Sequence, residues 1–233
     1  MTASTGSSST NTLSASLERT SRPWTDAENA AGFVLRYLVP MRDQLIQWTN
    51  NEALADESLK RLITHLVTQG FGSNGRGRIR DFLLRGIRSA AKSVVSDLPE
   101  NQSPKIDFAN WTPDSPAWLA NWRKGLLARA WRSLERVEHK EPTRPIYTTL
   151  RAATEHPEED SSMLAVRVNT QTDLRVEPKM ISDFLKVARS SFAQMLEHEI
   201  AETLDTVDPV SIAQEIEILG LAGIFSTQKN ASM

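Results

Sequence analysis

Six cationic side chains crowd one short stretch: Arg76, Arg78, Arg80, Arg85, Arg88 and Lys92, opposed only by Asp81. They lie within Gly70–Ser96, GFGSNGRGRIRDFLLRGIRSAAKSVVS, in a chain whose formal net charge is −2. Ile79, Phe82, Leu83, Ile87, Ala90, Ala91 and Val94 recur at helical spacing, so the stretch reads as a helix with one apolar and one cationic face. Such a helix can dock on an anion, phosphate being the usual candidate, although a solvated basic face is the commoner fate of helical charge.

Other spacings suggest chemistry less strongly. Gly70-Phe71-Gly72-Ser73-Asn74-Gly75 matches G-x-G-x-x-G. The dinucleotide form of that motif follows a strand, because the pyrophosphate sits between a strand end and a helix N-terminus. A helical pattern precedes it here, so it reads as a flexible turn. His198-Glu199-Ile200-Ala201-Glu202 has the outline of H-E-x-x-H with the second histidine replaced by glutamate. One imidazole with carboxylates rarely makes a catalytic zinc site, and the segment reads as an acidic solvated face. His65, His139 and His156 are dispersed, no G-x-S-x-G elbow exists, and Glu158-Glu159-Asp160 reads as a solubilising loop. The expectation is no catalytic residue, no metal and no cofactor, hence not an enzyme.

A chain of 233 residues, 39% hydrophobic and 24% charged, has the make-up of an ordinary globular protein with room for one large or two small cores. It contains no cysteine, which rules out disulfides and thiolate chemistry and fits a reducing compartment, so the expected location is cytoplasmic. No apolar run approaches the ~18 residues of a membrane span, so no membrane partner is expected. Residues 1–21 hold seven Ser and five Thr without an apolar core, and read as a disordered tail rather than a secretory signal.

The elements that would position the cations are all helical. Thr25 with Glu28 makes a capping box for a helix through about Val39, which Pro40 kinks or breaks. A helix over Leu54–Thr68 precedes the cationic one, and together they predict a compact domain over 22–97. Pro99, Pro104, Pro113 and Pro116 mark a linker over 98–115, with Trp111 free to dock on either side. Helices are then expected from Ser115, around Ile146–Ala153, and over Ser162–Asn169, where Leu164–Val168 also alternates as a strand would. The longest is expected to start at Pro178, and a last one runs from Asp208 to near Gly220. The fold class is all-α, in two small domains (22–97 and 116–204) with a C-terminal helix and tail over 205–233. Trp111, Trp118, Trp122 and Trp131 cluster around one helix start, and core packing explains them better than base stacking.

Three stretches carry a family likeness. Asp56–Val67 followed by Gly75–Leu84, Trp122–Val137 (WRKGLLARAWRSLERV), and Val187–Ile200 running on to Asp208-Pro209 resemble, in order and spacing, RNA polymerase sigma factors of the extracytoplasmic-function type, in their divergent planctomycete-like form. The likeness implies a sigma region 2-like first domain and a helix-turn-helix, region 4-like second domain. It implies a polymerase-clamp contact at Asp56, Lys60, Arg61 and Ile63, and −10 promoter DNA at Arg78, Arg80, Arg85, Arg88 and Lys92. For −35 DNA in the major groove it implies Lys179, Lys186 and Arg189. The partners would be core RNA polymerase, promoter DNA and an anti-sigma or other regulatory protein. Lys60-Arg61 stands where the family has Gln-Glu, and Arg189-Ser190-Ser191 where it has a basic triplet. Each lost phosphate contact lowers salt-dependent affinity, so the alternative is a degenerate sigma-like scaffold that binds protein and little DNA.

Overall fold

The computed structural model describes Trp24, residues 29–71 and residues 76–229. The Ser/Thr-rich tail, the Thr25/Glu28 capping box and Gly72–Gly75 lie outside the described residues. Among those described there are ten α-helices and no strand, so the chain is all-α as its periodicity predicts.

Helix α1 (Ala30–Leu35) is capped by Asn29, whose side chain accepts from the Gly32 amide. The chain turns at Arg36 and Tyr37 and re-enters as α2 (Leu38–Thr49). Pro40 therefore does not break a helix. It is the third residue of α2, where a missing N–H has no intrahelical partner to lose. Asn51 caps α3 (Glu52–Gln69), and the cationic stretch forms α4 (Ile79–Ser96). Then follow α5 (Pro116–Lys140), α6 (Ile146–Glu155), α7 (Ser161–Gln171) and α8 (Pro178–Ala201). Asp160 caps α7, which settles the alternating Leu164–Val168 segment as helix. At 25 residues α5 is one longer than α8, so the helix expected to be longest is second. After α9 (Pro209–Ile218), Gly220 turns at φ +64° into α10 (Ala222–Lys229), a helix the sequence reading did not anticipate.

One cluster of buried side chains runs from Trp24 through α2–α5 to Phe192, Leu219 and Leu221. It crosses residues 98–115 rather than stopping at them. That segment contains two short 3-10 turns, and Trp111 within it is buried and stacked on Trp48 of α2 at 4.3 Å. Tyr37, in the turn before α2, stacks on Trp122 of α5 at 4.8 Å and so packs that turn onto α5. A satellite core of Ala152, Leu164, Val168, Val176 and Ile181 joins α6, α7 and α8. The polypeptide is also stapled at a distance. The Ile79 amide donates to the Thr203 carbonyl at 2.9 Å, the Gly77 amide to the Asp205 carboxylate, and Trp24 Nε1 to the Gly77 carbonyl at 2.8 Å. No helix among the described residues is long and apolar enough to cross a membrane.

Candidate nucleic-acid and protein interfaces

Helix α4 buries Ile79, Leu83, Leu84, Ile87, Ala91 and Val94, and this register decides where each cation points. Arg80 falls on the buried face and is completely inaccessible. Its Nε donates to Glu215 Oε1 of α9 at 2.7 Å, and its Nη1 donates to the Pro113 carbonyl and to Asp81, both at 2.9 Å. Glu215 is equally inaccessible and also pairs with Arg78 at 2.8 Å. Arg80 is therefore not a DNA-facing residue: its charge is spent holding α9 and the 98–115 segment against α4. Arg78 is half-exposed but already engaged. Burial pushes the Asp81 carboxyl up, and Arg80 and Arg78 oppose that shift.

Arg85, Arg88 and Lys92 follow at steps of three and four, which puts them on one face. Arg85 and Lys92 are exposed and Arg88 is half-buried, and none of the three forms an ion pair with a described residue. Lys92 Nζ lies 5.6 Å from the centre of the Phe108 ring, which packs on Trp111. Phe108 thus gives the cationic face an aromatic edge. Sequence order offered no sign of it, because the contact is made by the segment returning along α4.

On α8, Lys179, Lys186 and Arg189 are all exposed, and Lys179 pairs with Glu177 at 2.6 Å. These cations sit on a different helix from Arg85, Arg88 and Lys92 and form a second basic group. The residues expected at a polymerase clamp divide differently. Asp56 accepts from Arg42 Nε at 2.7 Å, a bond that holds its carboxyl below the usual range. Arg61 pairs with Asp97 at 2.7 Å and donates to Ser93, tying α3 to the end of α4. Ile63 packs half-buried against the core. Lys60 stands exposed beside Glu57.

A groove of about 1060 Å³ lies between the α1–α2 turn, α5 and α8. At its base Arg129 of α5 donates to Glu199 of α8 while lying 5.0 Å from the Tyr37 ring centre, and Arg36 donates to Glu202. His198 pairs with Glu202 at 3.5 Å. Glu199 is buried, so His198–Glu202 is not the solvated acidic face expected from its sequence. Burial alone would raise the Glu202 pKa, but hydrogen bonds with His198 and Arg36 outweigh it and hold the carboxyl at about 2. The same bond raises the pKa of His198 against its burial. Among the described residues no group of three or more His, Asp or Glu side chains is placed to hold a metal ion. No family model matches the chain, and comparison with curated proteins and with solved structures finds no match.

Proposed function

We propose that this chain is a sigma-factor-like transcription regulator that contacts promoter DNA and core RNA polymerase in the cytoplasm. The observation that carries the reading is the Arg85–Arg88–Lys92 face: three cations on one helix side, without ion pairs to described residues, edged by Phe108. Cations in that arrangement neutralise phosphates, and an adjacent ring can stack on an unpaired base. Lys179, Lys186 and Arg189 supply a second basic patch, in keeping with a bipartite promoter contact. Arg78 contributes at the margin, and Arg80 not at all. The test is binding of the full chain to promoter DNA across a salt series. Arg85→Ala with Arg88→Ala is expected to weaken binding about tenfold or more and to lower the salt slope by about two. Unchanged affinity and slope would remove those arginines from the role.

A second reading is favoured by a specific observation. Glu215 occupies Arg78 and Arg80, while Asp56 and Arg61 are bound up in internal pairs. A chain that spends these charges on its own packing can serve as a protein-interaction scaffold with little DNA affinity. Co-purification of the tagged protein with core polymerase subunits supports the first reading. Their absence, with the protein folded, supports the second.

A further inference from the structure

The groove between α1–α2, α5 and α8 is independent of the α4 face, and its two walls differ. On the α5 side, Arg132, Arg136 and Lys140 recur every four residues, so they line one stripe spanning about 12 Å. Arg132 Nε and Arg136 Nε donate to main-chain carbonyls one turn back, and no described carboxylate forms an ion pair with any of the three. The α1–α2 side presents hydrocarbon: Leu35 is 50% exposed and Val39 66% exposed, four residues apart and both lining the cavity, while Asp43 on the same side pairs with Lys124 of α5 at 3.8 Å. Between the walls, the acids at the base are already neutralised by Arg36 and Arg129. The groove thus offers uncompensated positive charge along one side and uncovered hydrocarbon along the other.

We propose that this groove docks an acidic amphipathic helix from a partner protein. The fit is one of charge and size. Carboxylates at steps of four on such a helix meet Arg132, Arg136 and Lys140, while its leucine-like face covers Leu35 and Val39. About two and a half turns of a helix about 10 Å across would occupy a volume similar to the cavity. The chain's own N-terminal stretch is a poor occupant, since Glu18 is its single carboxylate before Trp24. A nucleic acid would match the cations but leave Leu35 and Val39 against water.

The test is fluorescence anisotropy of the full chain with a labelled two-heptad peptide, glutamate on one face and leucine on the other, beside a scrambled peptide of the same composition. The ordered peptide is expected to bind and the scrambled one to bind at least about tenfold more weakly. Arg132→Glu with Arg136→Glu should cost about tenfold or more, as should raising salt to about 0.5 M. Arg85→Glu with Lys92→Glu, on the separate α4 face, should leave peptide binding unchanged while abolishing any DNA binding, so the two proposals fail independently. All four positions are exposed, and circular dichroism of each variant checks folding. Equal binding of the two peptides, or no loss in the Arg132/Arg136 variant, would overturn the proposal. So would loss of oligonucleotide binding in that variant without loss of peptide binding, which would assign the groove to nucleic acid.

Discussion

Arg80 and Glu215 lie 135 residues apart in sequence and share one inaccessible site. Two opposite charges out of water are tolerated only with close geometry and satisfied donors, and here Arg80 Nη1 donates to the Pro113 carbonyl and to Asp81 while Nε and Nη2 donate to Glu215. Removing one partner strands the other, so Glu215→Ala is expected to destabilise the protein by about 3–5 kcal/mol, read from urea unfolding. Replacing both, Arg80→Leu with Glu215→Leu, should recover part of that loss, because the inaccessible pair is gone while Arg78 and Asp81 each lose one partner. A stability unchanged in Glu215→Ala would contradict the buried pair. The clue to Arg80 was present in the sequence: it stands four residues before Leu84 and seven before Ile87, on the apolar arc. Its partner was not legible, since nothing local distinguishes Glu215 from a solvated glutamate.

Helices α1, α5 and α8 meet at the charged base of the groove, where Arg36, Arg129, His198, Glu199 and Glu202 come together. Glu202 is held at about 2, below its unfolded value, so its contribution to stability is present above about pH 4.3 and is lost as pH falls toward 2. His198 is shifted the other way, so its contribution is complete below about pH 6.5 and is lost as pH rises through its folded pKa. The cluster should therefore stabilise most between about pH 4.5 and 6.5. His198→Gln is expected to remove the decline on the alkaline side and to weaken the acid limb without abolishing it, since Arg36 still holds Glu202 low; thermal unfolding across pH measures both, and an unaltered alkaline limb would exclude His198 as its cause. The helices themselves were largely legible, because apolar spacing, Asp160, Asp208 and Pro178 mark their bodies and starts. What misled was punctuation. Pro40 is harmless in a first turn, Gly220 connects two helices rather than ending the last, and the His198–Glu202 segment looks solvated until α1 and α5 are packed over it.

At the scale of the molecule, the buried cluster crosses the proline-rich segment, and Trp111, expected to dock on one side or the other of a linker, stacks on Trp48. Composition could not reveal this, because proline interrupts helices equally well in a tether and in a packed strap. A shared core predicts one cooperative unfolding transition, with tryptophan fluorescence and far-ultraviolet circular dichroism giving the same midpoint. Two separated midpoints would show that the halves fold independently. The long-range staple has a further consequence for the protein during its synthesis. Until residues 203–215 leave the ribosome, the nascent chain carries Arg80 without Glu215 and the Ile79 amide without the Thr203 carbonyl. The N-terminal half must wait, with apolar surface uncovered, for helices made well after it, so this topology exposes the newborn chain to aggregation and to chaperone capture.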